Sequence, residues 1–302
     1  MGGMDIRLAV LAARQGGAIT RNQALSVVSA AEIRSRLRRG EWRCTPWRGI
    51  YVEAEVPDDL PSLVRAASLI AGGDLVACHT TAAALWGFGI HSEDRLHFLG
   101  PPDVDNRRRP GLQIHPSVLG TDDAVLVNGI WCTPPARTVC DVVRLSAAID
   151  GLAVLDRALA SETCSRDELV VASIEQAGLR QVIRLRSLIP HADALAESPM
   201  ESRMRWRFLD ARLPAPTCQI RVGDPGDRWH RLDTGWRDRR VGAEFDGGIA
   251  HLTRDQLRAD RDRHNWLTEN GWTLLHFTDI DVYRRHHRMV ATVRRFLDRD
   301  AA

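Results

Sequence analysis

The chain has no lysine: all 41 of its basic residues are arginine. This excludes chemistry that requires a lysine amine, namely Schiff-base formation, anchoring of pyridoxal phosphate and the P-loop lysine. A GC-rich coding bias towards Arg and Ala explains the absence without reference to function, and the exclusion holds either way. Long apolar runs are also missing. None approaches the ~20 residues that a membrane-crossing helix needs, so no membrane partner is expected. The opening MGGMDIRLAV lacks the basic-then-apolar layout of a secretory leader, because Asp5 and Arg7 interrupt it. The six cysteines (44, 78, 132, 140, 164 and 218) form no CxxC and no paired Cys/His spacing. They read as buried free thiols in a reducing cytosol.

What is present is ordinary in bulk and uneven in detail. Hydrophobic residues make up 44% and charged residues 26% of 302 positions, which suits a globular protein of two domains or three small ones. Residues 1–55 carry nine arginines against five acids, whereas residues 56–190 carry twelve against sixteen. A basic N-terminal segment on a near-neutral body points towards nucleic acid. The pattern of elements predicts an α/β (α+β) multidomain chain divided at 1–56, 57–190 and 195–302.

In the first segment, Ile6, Val10 and Leu11 have helical spacing, and Gly16-Gly17 stops that helix. Thr20 with Gln23, and Ser29 with Glu32, have the spacing of capping boxes and open two further helices. WRCTPWRGIYV then gives two short strands around a turn. This is the order of a winged helix-turn-helix. A recognition helix entering a groove lined by phosphates carries cations on its outer face. Arg34, Arg36, Arg38 and Arg39 on the helix, with Arg43 and Arg48 on the wing, are the candidate DNA contacts. A helical bundle with a solvated basic face remains the alternative.

The middle segment reads as helix and strand in alternation, with strands at 96–100 and 112–116 and a strand-to-helix passage through Pro134-Pro135. Nothing in it has ligand or catalytic spacing. His79, His97 and His115 are isolated among apolar residues and read as structural.

The third segment predicts a helix at 199–212 started by Ser198, Pro199 and Glu201, three strands to residue 246, a helix at about 253–270, a strand at 272–278 and a last helix at 281–298. Along VGAEFD the side chains alternate, so Val241, Ala243 and Phe245 face a core while Glu244 and Asp246 face the other way. Asp233 on the preceding strand lies within reach of them. Three gathered carboxylates repel one another unless a cation sits between them, and Mg2+ or Mn2+ suits all-oxygen ligands. Such an ion activates water for attack on a phosphodiester. His251 follows closely and suits proton transfer. Polar residues on the solvent face of an edge hairpin are the bland alternative.

Two resemblances attach to these motifs. S-P-M-E-S (198–202), R-L-D (231–233), A-E-F-D-G (243–247), His251, Asp260 to Arg263 and E-x-G-W (269–272) together resemble the very-short-patch-repair-like branch of the PD-(D/E)XK nucleases. The resemblance implies a restriction-endonuclease-like α/β/α domain, with Asp233 and Glu244 as metal-binding acids, Glu201 completing the site and His251 beside it. The lysine of that superfamily is replaced by Asp246, which leaves only an arginine such as Arg261 or Arg263 to stand in. GGAITRNQAL with IRSRLRRGEWRCTPWRGIYV, followed by HTTAAALWGF and TPPARTVCDVV, resembles the AbiEi-type antitoxins over about 5–160. That resemblance implies DNA binding and pairing with a toxin encoded nearby. Two functions are therefore expected to compete: a metal-dependent endodeoxyribonuclease, and a non-catalytic antitoxin-like transcriptional regulator.

Overall fold

Leu8 and Ala12, four residues apart, bury one stripe of α1 (Ile6–Arg14), while Ile6 and Val10 on another stripe are exposed. Both pairs have helical spacing, so the buried face differs from the one expected at Ile6 and Val10. The computed structural model describes residues 6–71, 75–89, 95–102, 110–117, 120, 123–223, 229–247 and 254–299. By internal contacts the chain falls into two units, Met1–Thr138 and Val139–Ala302.

In the first unit, Thr20 and Gln23 close a reciprocal capping box on α2 (Arg21–Leu25). Ser29 caps α3 (Ala30–Arg38) through the amide of Glu32, but the Glu32 carboxylate turns to Arg36 and Arg39 instead of the cap. Gly40, with φ +71°, ends α3 in a Schellman turn: its N–H bonds Leu37 O and the next N–H bonds Arg36 O. Strands β1 (Ala18–Thr20), β2 (Trp42–Cys44) and β3 (Ile50–Glu53) form an antiparallel sheet in the order β1-β3-β2, completing the winged-helix arrangement. One core gathers Leu8, Ile19, Ile33, Trp42 and Tyr51. A second core runs across residue 56, joining Trp47, Ile50 and Val52 to Val64, Phe98 and Ile114.

Asp59 caps α4 (Leu60–Ser68) by accepting from the Ser62 amide at 3.0 Å. A five-stranded mixed sheet follows: β4 (Val76–Ala77), β5 (Leu96–Gly100), β6 (Leu112–Pro116), β7 (Val125–Val127) and β8 (Ile130–Cys132), ordered β6-β5-β4-β8-β7. Between β4 and β5 runs α5 (His79–Leu85), and α6 (Pro135–Leu145) leads out of β8.

The second unit holds α7 (Ala148–Ala160), α8 (Arg166–Glu175), α9 (Val182–Leu188) and α10 (Pro199–Asp210). Its sheet is ordered β12-β11-β10-β9, from β9 (Thr217–Gly223), β10 (Trp229–Trp236), β11 (Val241–Phe245) and β12 (Thr273–Phe277). The first three strands are antiparallel, and α11 (Arg254–Glu269) is the crossover that makes β12 parallel to β11. The last helix is two pieces, α12 (Asp279–Tyr283) and α13 (His286–Leu297), broken at Arg284-Arg285, where both N–H groups turn to Ile280 O. Its expected apolar face survives the break, since Val282, Met289, Val290, Val293 and Leu297 are all buried. Among the described residues no helix is long and apolar enough to cross a membrane. All six cysteines are free, with Cys44 exposed and the others buried.

Candidate functional site

The six arginines expected to face DNA separate into two groups. Arg36 is only 6% exposed: it pairs with Glu32 at 3.1 Å and lies over the Trp42 ring, 5.2 Å from its centroid. It braces α3 against the wing and is withdrawn from the outer face, because residue 36 lies one turn from Glu32 on the side that meets β2. Arg39 is held by Glu41 at 2.7 Å and Glu32 at 3.2 Å. Arg43 donates to Asp58 and to the Val56 and Pro57 carbonyls. Arg34, Arg38 and Arg48 are exposed, with no acidic partner among the described residues. Of the six, those three are exposed without a counter-ion among the described residues.

The carboxylates of the second unit do not gather as expected. Extending the β10–β11 register brings Asp233 opposite Glu244. Asp233 Oδ2 accepts the Phe245 N–H at 3.0 Å, so the carboxylate itself takes a backbone bond at the end of the ladder. Glu244 is buried and faces Arg263 of α11, which donates from Nη1 to Oε2 at 2.9 Å and from Nη2 to Oε1. Arg263 also reaches the Arg231 carbonyl at 2.7 Å. Asp246 lies past the strand end, exposed, and pairs with Nδ1 of His276 at 3.1 Å. Among the described residues, neither Asp233, Glu244 and Asp246 nor Glu201, Asp233 and Glu244 bring three carboxylate oxygens within 4.8 Å of one another. The reason is charge: Arg263 neutralises Glu244 directly, and Asp246 leaves the cluster for His276. His251 lies outside the described residues.

Glu201 is turned towards this end of the sheet. Its N–H bonds the Ser198 hydroxyl at 3.1 Å, but its carboxylate does not close the expected box on the cap. Oε2 accepts instead from the Glu197 amide at 3.1 Å and from Gln219 Nε2 at 3.0 Å. Burial pushes the Asp233 carboxyl up to about 6; the negative charges of Glu201 and Glu244 add to this, while the Phe245 N–H and Arg263 oppose it. The donor set is all oxygen and suits Mg2+ or Mn2+ in kind, but not in spacing while Arg263 holds Glu244.

Over 254 residues, 84% of this chain and 92% of theirs, the sequence is 38% identical to the uncharacterized proteins MT2308 and Rv2248 of Mycobacterium tuberculosis, strains CDC 1551 and H37Rv. The chain belongs to their family. Within this family member, residues 75–191 match the AbiEi antitoxin C-terminal domain, as the motifs HTTAAALWGF and TPPARTVCDVV led us to expect. The crystal structure of the RV2827C protein from Mycobacterium tuberculosis matches with a TM-score of 0.43 and 13% identity, covering 72% of this chain and 87% of that one.

Three residues of the carboxylate site in this family member were not anticipated in their present roles. Arg263, expected as a stand-in for lysine or as an outer support of the site together with Asp260 and Arg261, is the direct counter-ion of Glu244. His276 stands beside Glu244 in the parallel β11–β12 register. Gln219 has φ +50° in mid-strand and interrupts the ladder between the pairs Leu232–Ile220 and Thr234–Cys218, opposite Asp233. A non-glycine residue held at such a φ costs about 1–3 kcal/mol and persists where its surroundings demand it. Its Oε1 is buried without a partner among the described residues. Burial of Cys218, Ile220 and Val222 in alternation would have placed Gln219 on the other face, the one usable sign of it in the sequence.

Proposed function

We propose that this protein binds DNA as an antitoxin-like regulator, holding phosphates through Arg34, Arg38 and Arg48 of its winged helix. The observation that carries the reading is the division among the arginines: three are tied into the fold, and three are left exposed on the recognition helix and wing. The match to the AbiEi antitoxin domain supports it. A toxin partner agrees with the exposed apolar side chains of Val170, Val171, Ile174 and Ile183 on α8 and α9, inside the matched segment. The test is DNA binding by fluorescence anisotropy. Changing Arg34, Arg38 and Arg48 together to Ala should abolish most of the affinity, and unchanged affinity overturns the reading.

A second function is favoured by one observation, the raised Asp233 carboxyl held near Glu201 and Glu244. This reading is Mg2+- or Mn2+-dependent hydrolysis of DNA, with Asp233, Glu244 and Glu201 as the acids and Arg263 competing with the cation for Glu244. Supercoiled DNA incubated with Mn2+, with and without chelator, tests it. Cutting should disappear in the Glu244→Gln variant, and wild-type protein that leaves the DNA intact rules it out.

A further inference from the structure

His79, His97 and His115 are 18 residues apart in sequence at each step and meet in space. The ring centroids of His79 and His115 are 4.5 Å apart, those of His97 and His115 5.3 Å, and those of His79 and His97 5.7 Å. Cys78 joins them: donor atoms of Cys78, His79 and His115 all lie within 4.8 Å of one another. We propose that Cys78, His79 and His115 form a binding site for a divalent transition-metal ion of the Zn2+ class, with His97 orienting His115.

Five features support this site. The donors are one sulfur and two imidazoles, a borderline-soft set that selects Zn2+, Co2+ or a similar ion over Mg2+. Bond lengths of about 2.3 Å to sulfur and about 2.0–2.1 Å to nitrogen put tetrahedral ligands about 3.3–3.6 Å apart, so closure from the observed spacing needs only a small side-chain rotation. The donors stand on regular elements: His115 on β6, His97 on β5, and Cys78 with His79 where β4 turns into α5. The Cys78 N–H bonds the His97 carbonyl at 3.0 Å and the His97 N–H bonds Thr81 Oγ1 at 2.7 Å, which ties the two strands and the helix together at this point. His79 has φ +48°, a conformation uncommon outside glycine, at the residue that turns the chain from strand to helix. Finally, Nδ1 of His97 lies 3.0 Å from Nε2 of His115, so His115 can hold an ion through one nitrogen and His97 through the other. A metal-bound histidine is commonly oriented by such an outer partner. Three protein ligands leave a fourth position for water or an external ligand.

The full chain, stripped with a chelator, is titrated with Co2+ and then with Zn2+. One equivalent of Co2+ should bind with a thiolate-to-metal charge-transfer band in the near ultraviolet, which Zn2+ then bleaches. Cys78→Ser should lose the band while keeping the far-ultraviolet dichroism of the wild type. His97→Gln should weaken binding by about 10- to 100-fold. Cys44→Ser, which removes the exposed thiol, should leave the band unchanged. The proposal is overturned if the wild-type chain takes up no stoichiometric Co2+ or Zn2+, or if the band persists in Cys78→Ser. The wild-type chain still decides if that variant does not fold, because uptake without the charge-transfer band overturns the proposal.

Discussion

Asp233 shows how a single carboxyl reports on its surroundings. Its pKa rises from an ordinary 3.8 to about 6, chiefly by burial, with Glu201 and Glu244 contributing. A carboxyl raised in the folded state favours folding while it is protonated, below about pH 4, and loses that contribution as pH rises through about 6. Asp233→Asn should therefore stabilise the protein near pH 8 by about 1 kcal/mol, a figure reduced from the full shift because the group is partly exposed. The gain should shrink as pH falls from 6 to 4. Paired urea titrations of wild type and variant across that range measure it, and a destabilised variant at pH 8 would show that the charge is already compensated. Arg36 makes a related point. Its charge is spent inside the protein on Glu32 and Trp42, so Arg36→Ala should lower stability more than DNA affinity, the reverse of Arg34→Ala.

Among elements, α7 and α10 are tied by a buried ion pair. Asp156 and Arg205 are both buried and meet at 2.6 and 2.8 Å. Asp156 also accepts the Asp193 N–H at 2.8 Å, and Arg205 donates to the His191 carbonyl at 2.6 Å, so the segment after α9 is pinned to the same pair. Burial pushes the Asp156 carboxyl up, and Arg205 opposes that shift. Removing one partner leaves the other charge buried and alone. Asp156→Ala should cost about 3–5 kcal/mol in denaturant unfolding, whereas Glu197→Ala, which breaks the exposed pair with Arg231, should cost less than about 1 kcal/mol. Equal effects from the two variants would contradict this account. The β10–β11 hairpin has a steric counterpart: a Cβ on Gly235 would lie 2.3 Å from the Val241 carbonyl oxygen, so Gly235→Ala must displace backbone and should weaken the strand pair that positions Asp233.

At the scale of the molecule, the winged helix does not own all of its core. Trp47, Ile50 and Val52 pack with Val64, Phe98 and Ile114. A fragment ending at residue 56 would expose that apolar face, and it should lack the dispersed amide spectrum of a folded domain; a well-dispersed spectrum would refute this. DNA binding by the whole chain should be steeply salt-dependent. Each phosphate neutralised contributes about 0.9 to the slope of log affinity against log salt, so loss of Arg34, Arg38 and Arg48 should flatten it by about 2 to 3. Titrations over a range of KCl concentrations give both slopes.

Much of the local structure was legible from residue order, because local rules govern it. Thr20 with Gln23, Ser29, Gly40, and Ser198 with Pro199 mark helix ends through hydrogen bonds within a few residues, and the alternation in VGAEFD marks a strand through the pleat. The strands carrying Asp233 and Glu244, and the apolar face of the last helix, followed from the same periodicities. Tertiary structure alone decided what depends on partners distant in sequence. It chose Leu8 and Ala12 over Ile6 and Val10 as the buried face of α1, although both pairs satisfy the helical repeat. It withdrew Arg36 into the fold, set Arg263 against Glu244 and paired Asp246 with His276. It also brought His79, His97 and His115 together from β6, β5 and the head of α5. No spacing along the chain encodes that meeting, because strand pairing in the sheet, and not sequence separation, sets the distance between their rings.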